Sequence, residues 1–406
     1  MGLIENLKSY SEGVQISGEK KDLFTSFMSK GFPTTKDEEW KYTSLKKIVT
    51  KEYTIENTGE IIDSSTVEKY SLGFENRIIF SDGKLIGSPN IKGVSINGFS
   101  NFGSNTTDSI LQLNKALAQN GFTISVDKNT VLESPIEILF FATTENNFSQ
   151  YRNLISVGDN TEVKFVERIQ TLNDSTSMVN HFTQIHCAKN TKVEYNKIQN
   201  NTPESRLIDT VNVYQEQDST CDINTLIFGG SFTRNNLNFE QNGSNCESNM
   251  NGISILDDNQ LADNHTFVDH KSAHCRRNEM YKGIYLGHSK GVFNGKIMVR
   301  PDAQKIDAFQ SNNNLLLSDN STIDSKPQLE IYADDVKCSH GCTIGQLDEK
   351  ALFYMRSRGI GIEEAKAVLT YAFASEAIEN ISVEEVKLLA QKLLAKKLNV
   401  DLDFSL

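Results

Sequence analysis

The middle of the chain carries an internal repeat of about 30 residues, and this repeat restricts the fold more than any other feature. A small polar marker recurs at Asn129, Asn160, Asn190, Ser219 and Ser244, with spacings of 31, 30, 29 and 25 residues. Two alternating apolar and polar segments follow each marker, and no helical pattern lies between them. Strand pairs at a fixed period are typical of a solenoid, in which successive turns stack on one another.

The alternating segments identify which parts of each repeat form strands. Side chains point to opposite sides of a strand in turn, so alternation places one apolar side towards a core. Asn and Asp at the markers suit tight corners because they tolerate left-handed backbone conformations. We therefore predict a mainly β protein with a parallel β-helix core over residues 121–346. A β-sandwich is the alternative, but the regular spacing favours stacked coils. The clearest segments are 163–169, 181–187, 193–198 and 208–215.

The residues before the repeat, 1–120, are expected to form a separate domain that is mainly helical with short strands. Asp82-Gly83 is a typical hairpin turn. Trp40 is the only tryptophan in the chain, and we expect it to anchor its own segment by hydrophobic packing. The expected elements are helix over much of 1–60, strands at 77–82 and 92–97, and a helix at 108–119.

The residues after the repeat, 347–406, predict a helical domain. Ser382 to Glu385 reads as a capping box that begins the last helix. Three short amphipathic helices cannot enclose much core alone, so they are expected to pack on the end of the solenoid or on a partner. Val368, Leu369 and Phe373 share one helix face with Ala372. The expected helices are 348–357, 362–378 and 383–398.

Charge and composition exclude several classes of function. The net charge of −12 argues against binding to nucleic acid or to an anionic membrane, since both need a basic surface. The beginning of the chain has no secretory signal, and no apolar run approaches the length of a membrane span. The six cysteines have no disulfide or zinc-finger spacing. We therefore expect a cytoplasmic protein with free thiols.

The most informative short motif holds Cys338, His340 and Cys342. Residues i, i+2 and i+4 of a strand point the same way, so thiolate and imidazole donors suited to iron, zinc or iron–sulfur clusters share one face. Alternate residues lie about 6.6 Å apart on a straight strand, which is too far for tight chelation. Either Gly341 bends the strand or a partner completes the site. A buried thiol and a core histidine without a ligand role remain the alternative.

A second group of candidate ligands lies between residues 263 and 288. On a continuous strand His270 and His274 would share a face, with Cys275 pointing away. No strict metal-binding spacing supports a site there. Asp334 and Asp335 could be acid–base carboxylates, although we expect them to end a strand. The full group of histidines and cysteine is His265, His270, His274, Cys275 and His288.

Three segments resemble the SufB/SufD family of iron–sulfur cluster assembly proteins. They are DEEWKYTSL at 37–45, the segment from Val292 to Ile344, and LFYMRSRGI at 352–360. The CSHG motif at 338–341 resembles the SufD type, and the absence of cysteine between 276 and 337 also favours it over the SufB type. The resemblance implies a right-handed parallel β-helix flanked by an N-terminal α/β domain and a C-terminal helical domain.

The resemblance also implies a function, namely a non-catalytic subunit of a SufBCD scaffold complex. Such a chain would pair with a SufB-like subunit through the β-helix and would bind a SufC-like ATPase through the helices of 347–378. Cys338 and His340 would be ligands for a transient iron–sulfur cluster or iron at the SufB interface. Cys342 follows the motif where the family usually has a small residue, so it is either a third ligand or a buried thiol. Flavin binding and a homodimer in isolation are left open.

Two other functions are consistent with a β-helix. A carbohydrate-active enzyme would need a cleft lined with carboxylates and aromatic rings. A structural homodimer with a thiol switch would pair Cys338 with Cys342. Their Cα atoms would lie about 13 Å apart on a strand, beyond the reach of a disulfide without a bend.

Overall fold

The computed structural model describes residues 2–14, 16–55, 60–100, 102–103, 106–118 and 120–399. Two sheets and eight α-helices form this part of the chain. The helices are α1 Leu3–Val14, α2 Glu19–Lys30, α3 Lys46–Val49, α4 Ser64–Tyr70, α5 Ser109–Leu117, α6 Glu349–Ser357, α7 Ile362–Ile378 and α8 Glu384–Leu398. The first short strands are β1 Arg77–Ser81, β2 Lys84–Gly87, β3 Val94–Gly98 and β4 Phe122–Val126.

The longer strands follow one another with only corners between them. They are β5 Ile136–Ala142, β6 Phe148–Val157, β7 Glu162–Thr171, β8 Ser177–Cys187, β9 Lys192–Gln199, β10 Ser205–Gln215, β11 Thr220–Ile227, β12 Phe232–Gln241, β13 Glu247–Leu256, β14 Leu261–His270, β15 Arg276–Tyr285, β16 Lys290–Val299, β17 Ile306–Leu316, β18 Thr322–Ile331 and β19 Val336–Gly345. The four segments predicted as strands all lie within these elements.

The strands stack as a parallel β-solenoid. The odd-numbered strands from β5 to β19 form the first sheet with β1 and β2, and the even-numbered strands from β4 to β18 form the second sheet with β3. Pairing is parallel throughout, except that β1–β2 and β3–β4 are antiparallel. Strands β5 to β18 make seven two-strand turns, and β19 begins an eighth. The predicted β-helix is therefore confirmed, and the alternative of a β-sandwich is wrong.

One column of corners explains the sequence repeat. A single residue with positive φ recurs once per turn, and its N–H donates to the main chain of the next turn. Asn side chains form a ladder there, since Asn160 donates to Asn129 at 3.0 Å and Asn190 donates to Asn160 at 2.9 Å. The corner residues are Asn129, Asn160, Asn190, Asp218, Asn245, His274 and Lys305, with φ between 56° and 63°.

The interior of the first turns is apolar and aromatic. Phe140 stacks on Phe80 with ring centroids 4.7 Å apart, and Tyr151 packs on Phe140 at 5.0 Å. Each fully buried side chain of this size stabilises the fold by about 1.5–3 kcal/mol, as an upper estimate. Apolar and aromatic side chains thus fill the interior at the beginning of the solenoid.

The helices cover the two outer faces of the solenoid rather than its far end. Helices α1, α2 and α5 pack on outward residues of the second sheet, such as Phe148 and Ile208. Helices α7 and α8 pack on outward residues of the first sheet, such as Ile253 and Ile284. Strands β18 and β19 are the last members of their sheets, and no described strand pairs with their outer edges. The solenoid therefore ends with both edges open.

The bounds of the C-terminal helices agree with the sequence prediction, but α7 and α8 pack on the outer face of the first sheet instead of the predicted end of the solenoid, and two further details differ. Val383 is the N-cap residue of α8, and its apolar side chain cannot cap the helix; the N–H and hydroxyl of Ser382 instead donate to the Glu194 carboxylate of the solenoid. The predicted capping box is therefore wrong. The buried face of α7 is built on small residues such as Ala374 and Ala377, whereas Val368 is exposed.

Candidate functional site

The open end of the solenoid brings Cys338, His340 and Cys342 onto one side of β19. In the parallel register they lie beside Ala308, Gln310 and Asn312 of β17, whose side chains are buried in the interior. The three ligands therefore point towards the inside of the last turn, as the spacing predicts. They are accessible only because no strand follows β19 to cover them. The inward residues pair in the order Ala308–Cys338, Gln310–His340 and Asn312–Cys342.

The three side chains differ in their surroundings. Cys338 is half-buried, and burial raises the pKa of its thiol while the nearby Arg277 guanidinium opposes that rise. His340 is exposed and makes no hydrogen bond or ion pair within the described residues. Cys342 is also exposed, and its thiol donates to Ser325 Oγ of β18 at 3.1 Å. The expectation that Cys342 is a buried thiol is therefore wrong.

The backbone of β19 decides between the two ways of completing a ligand set. The register between β17 and β19 runs from Ile306–Val336 to Leu315–Gly345 without a bulge, and Gly341 lies within it. Adjacent donors on such a strand remain about 6.6 Å apart. A bend at Gly341 is therefore wrong, and β19 alone does not form a chelating site.

Apolar groups surround the open end. Phe309 is 46% exposed on the outer face of β17, and Ile344 of β19 is 49% exposed. Ile331 and Tyr332, where β18 ends, are also exposed. Unpaired strand edges with exposed apolar residues are typical sites for pairing with another chain.

A second cluster, buried in the centre of the solenoid, was not found from the sequence. Glu167, His181 and Asp209 are the only described residues whose His, Cys or carboxylate donor atoms meet within 4.8 Å in a group of three. His181 Nδ1 lies 3.3 Å from Asp209 Oδ1, and Lys197 Nζ lies 2.6 Å from Asp209 Oδ2. Tyr195 donates to Glu167 at 2.6 Å. We call these five residues the central network.

Charge balance explains how the central network is tolerated. Burial raises the pKa of Asp209, but Lys197 and His181 outweigh this effect and hold the pKa at about 2. Burial alone would lower the pKa of His181, yet Glu167 and Asp209 raise it. Burial instead raises the pKa of Glu167, so Asp209 is the carboxylate that Lys197 and His181 stabilise most directly. In the sequence, the central network is indicated by charged residues at inward positions one turn apart, as Glu167 and Lys197 are.

The N-terminal motif at 37–45 forms a strap across the second sheet. Trp40 is buried, and its ring lies 4.4 Å from the Arg234 guanidinium. His265 lies between Glu39 and Asp263, with Nδ1 3.1 Å from Glu39 and Nε2 3.0 Å from Asp263. The expected anchoring role of Trp40 is confirmed, and His265 is a clamp for the strap rather than a free metal ligand.

The corner after β14 changes the expected geometry of the second ligand group. His270 ends the strand and points inward, while His274 lies in the left-handed corner column. The corner restarts the alternation, so Cys275 points into the interior and is fully buried. The prediction that His270 and His274 share a face, with Cys275 pointing away, is therefore wrong. His288 also lies in a corner, where its backbone N–H donates to Asp258 at 2.7 Å.

Asp334 and Asp335 lie in the corner between β18 and β19. The backbone carbonyl of Asp335 accepts from Lys305 N at 2.5 Å, and its N–H donates to Gln304 at 2.9 Å. They separate two strands, in agreement with the expectation that they end one.

Helix α6 is the least buried of the C-terminal helices. None of its residues is buried, and Phe353 and Tyr354 are 75% and 59% exposed. A cavity of about 420 Å³ lies between this helix, α7 and the corners of the solenoid. None of the described helices is both long and apolar enough to cross a membrane.

Fold and site together define a parallel β-solenoid with helices on both outer faces and thiol and imidazole donors at one unpaired end. Residues 140–373 match the family model of the SufBD core domain of SUF system FeS cluster assembly, and residues 6–74 match that of the SufBD protein N-terminal region. The chain belongs to the SufB/SufD family of iron–sulfur cluster assembly proteins.

Individual relatives agree with the SufD type. The chain is 31% identical to the iron–sulfur cluster assembly protein SufD of Escherichia coli (strain K12) over 393 residues, which is 93% of this chain and 92% of that protein. It is 26% identical to a SufBD family protein of Synechocystis sp. over 87% of this chain and 85% of that one. SufD of Bacillus subtilis (strain 168) is 24% identical over 68% of this chain and 63% of its own length.

Proposed function

We propose that this chain is the SufD-like subunit of a scaffold complex that assembles nascent iron–sulfur clusters. It pairs with a SufB-like subunit through the open edges of β18 and β19. The observation that carries this proposal is the exposure of inward-facing donors at an unpaired end. A strand from a partner placed beside β19 would continue the sheet and cover Cys338 and His340 together.

Cys338 and His340 are proposed as the ligands that this subunit contributes to the cluster or iron. Thiolate and imidazole are donors that iron–sulfur clusters and iron accept. Because β19 is straight, its donors cannot close around one ion, and the partner supplies the remaining ligands. Cys342 lies next along the same face and is proposed as an auxiliary donor. The cluster is cargo, so the subunit needs no catalytic group of its own.

The helices of residues 347–378 are proposed as the docking site for a SufC-like ATPase. Helix α6 keeps Phe353 and Tyr354 in solvent, although aromatic residues of this size are usually covered. An aromatic pair on an exposed helix is typical of the anchors that dominate protein interfaces. Residues 1–120 and 121–346 are proposed as the other two units of the chain.

The ligand role is tested by anaerobic co-expression with the SufB-like and SufC-like proteins of the same organism. Size-exclusion chromatography reports assembly, and iron and sulfide analysis reports cluster loading. We expect Cys338→Ala and His340→Ala to reduce loading at least about tenfold while the complex still assembles. Ser339→Ala, which changes an exposed neighbour on the opposite side of β19, is the matched control. Full loading in both ligand variants would refute the proposal.

The ATPase-docking role has a separate test. We expect Phe353→Asp to abolish co-elution of the SufC-like protein while pairing with the SufB-like subunit persists, since Phe353 lies on helix α6 and not on either of the open strands. Leu388→Asp changes an exposed apolar residue on α8 and serves as the control. If both variants lose the ATPase equally, the assignment to α6 is wrong.

The alternative functions have less support. A surface groove includes Glu39 and Trp40, but His265 binds Glu39 and Arg234 covers Trp40, so neither is free for a sugar ring. Cys338 and Cys342 lie four residues apart on a straight strand, which opposes a disulfide between them. A homodimer through the same open edges is checked by light scattering on the isolated chain.

A further inference from the structure

Two thiols and an imidazole meet inside the solenoid at the corner between β14 and β15. Cys246 and Cys275 directly precede β13 and β15, and Arg276 N donates to Cys246 O at 2.8 Å across the two strands. Both cysteines are buried, at 1% and 0% exposure. Residues beside each other on adjacent parallel strands lie about 4.8 Å apart, so the two side chains stack.

The sulfur atoms converge on one point. The thiol of Cys246 donates to Gly243 O at 3.1 Å, and the thiol of Cys275 donates to the same oxygen at 3.4 Å. A shared acceptor places both sulfurs on the same side of the corner. Apolar neighbours enclose them, namely Ile297, Val299, Ala303, Ile306 and Ala308.

The imidazole of His270 is a third possible donor near the two thiols. The side chain is completely buried, and neither ring nitrogen has a hydrogen bond of normal geometry. The Cys275 thiol is the side-chain neighbour that interacts with the ring. An imidazole buried without a well-formed hydrogen bond is unfavourable and calls for a ligand, because buried polar groups are normally satisfied.

We propose that Cys246, Cys275 and His270 form an internal binding site for a thiophilic divalent metal ion, separate from the open end. Two thiolates and one imidazole are a donor set that Zn²⁺ and Fe²⁺ accept. Binding would release the thiol protons that now point to Gly243 O and would give the buried imidazole a well-placed partner.

The site is not assembled in its metal-free form. Its three donor atoms are not all within 4.8 Å of one another, since among the described residues only the cluster of Glu167, His181 and Asp209 meets that limit. Binding therefore requires rotation of a side chain, and the imidazole of His270 has no hydrogen bond of normal geometry to restrain it. Asn245 and His274, which precede the two cysteines, line a surface hollow of about 420 Å³.

The chain contains a matched control for the thiol pair. Cys187 and Cys221 are also buried and also interact with each other. The histidine beside them, His186, instead points outward and stacks on Tyr214 with ring centroids 5.0 Å apart. The control pair therefore has two thiols and no imidazole.

The test uses the full chain with Cys338, His340 and Cys342 all replaced by Ala, so that the open end contributes no ligand. Co²⁺ is titrated anaerobically into this protein after treatment with a chelator, and Zn²⁺ is then added as a competitor. We expect one Co²⁺ per chain, with the near-ultraviolet absorption of thiolate-to-cobalt charge transfer, displaced by Zn²⁺.

Adding Cys275→Ser to this background should weaken binding at least about 100-fold, and adding His270→Gln at least about tenfold. Adding Cys187→Ser with Cys221→Ser should leave binding unchanged. Circular dichroism checks that each variant is folded, and His270→Gln, which keeps a polar side chain, serves if Cys275→Ser does not fold. Absence of charge-transfer absorption, or binding in the Cys275→Ser and His270→Gln variants as tight as in the parent protein of this test, would overturn the proposal. So would a Cys246–Cys275 disulfide that forms while no metal is bound.

Discussion

The centre and the open end of the solenoid use the same inward-facing positions but leave them in opposite states. Glu167, Lys197 and Cys342 belong to one column of inward residues that runs through the first sheet. In the centre, the side chains of each turn find partners on neighbouring turns, as His181 of β8 finds Asp209 of β10. At β19 the column stops, and His340 and Cys342 face solvent.

The difference shows where the partner of an inward polar residue comes from. In a solenoid each turn satisfies its neighbours, so a polar interior is stable only where a further turn follows. The end behaves as an interior that lacks its next turn. The SufB-like subunit is proposed to supply that turn, which would convert exposed donors into a buried ligand set.

The largest expected effect comes from breaking the central network. Lys197→Met removes the cation that lies 2.6 Å from Asp209 and leaves a buried carboxylate with only His181 to neutralise it. We expect a loss of about 3–5 kcal/mol in the free energy of unfolding, because an uncompensated buried charge is strongly unfavourable. Urea denaturation of the isolated chain measures this loss.

Lys192→Met is the control for that experiment. Lys192 lies 4.0 Å from Glu162 at the surface, and its side chain is 72% exposed. Such a pair contributes about 0–1 kcal/mol. Equal effects of the two substitutions would show that the centre is as solvated as the surface and would remove the basis of the comparison.

An intermediate effect is expected from acid. The pKa of Asp209 is about 2 in the folded chain and about 3.8 without its surroundings. Its contribution to stability is therefore complete above about pH 4 and is lost as the pH falls towards 2, which corresponds to about 2 kcal/mol. Denaturation of the wild type and of Asp209→Asn between pH 5 and pH 3 should show the stabilities converging as the pH falls.

Two histidines provide a check of sign. The pKa of His181 is raised, so its contribution is present below its unfolded pKa of about 6.5 and is lost as the pH rises through the folded pKa. The pKa of His186 is lowered by burial, so its contribution is lost as the pH falls. Relative to the wild type, His181→Gln and His186→Gln should show opposite pH slopes. Slopes of the same sign would contradict the assigned charge of the central network.

The smallest effect is expected at the open end. His340→Ala in the isolated chain should change the free energy of unfolding by no more than about 0.5 kcal/mol, because the exposed imidazole has no partner. Gln310 occupies the same column one turn earlier, is buried, and accepts from Arg277 at 3.0 Å. Gln310→Ala should cost about 1–3 kcal/mol because it leaves the buried Nη1 of Arg277 without its acceptor, while Glu279 still binds Nη2. Urea denaturation of both variants measures the two losses of stability. Similar losses would mean that the inward side of β19 is already covered in the isolated chain.

The sequence predicts the solenoid and the shared face of Cys338, His340 and Cys342 because both depend on local periodicity. A period of two fixes side-chain direction within any unbroken strand, and a period near 30 fixes the stacking. Both periods can be recognised without knowing which turns are neighbours in the fold. The straight course of β19 through Gly341, in contrast, is visible only in the structure.

The errors arise where a corner or a distant contact interrupts the local pattern. His274 adopts a left-handed conformation, so the alternation before it does not continue to Cys275. Ser382 does not cap the helix because it hydrogen-bonds Glu194, which lies 188 residues away in the chain. The central network joins His181 and Asp209 across turns and could be recognised only after the register was known.

The residues of the corner column affect the order in which the turns of the solenoid unfold. Towards the beginning of the solenoid its left-handed positions are held by Asn or Asp, which adopt this conformation readily, whereas the last two are His274 and Lys305. Lys305 lacks the short side chain that forms the Asn ladder. The corners between turns are thus less stable towards β19, and thermal fraying should begin at the open end of the solenoid. Amide hydrogen exchange would then spread from β19 inwards, and docking would slow it first where the corners are least stable.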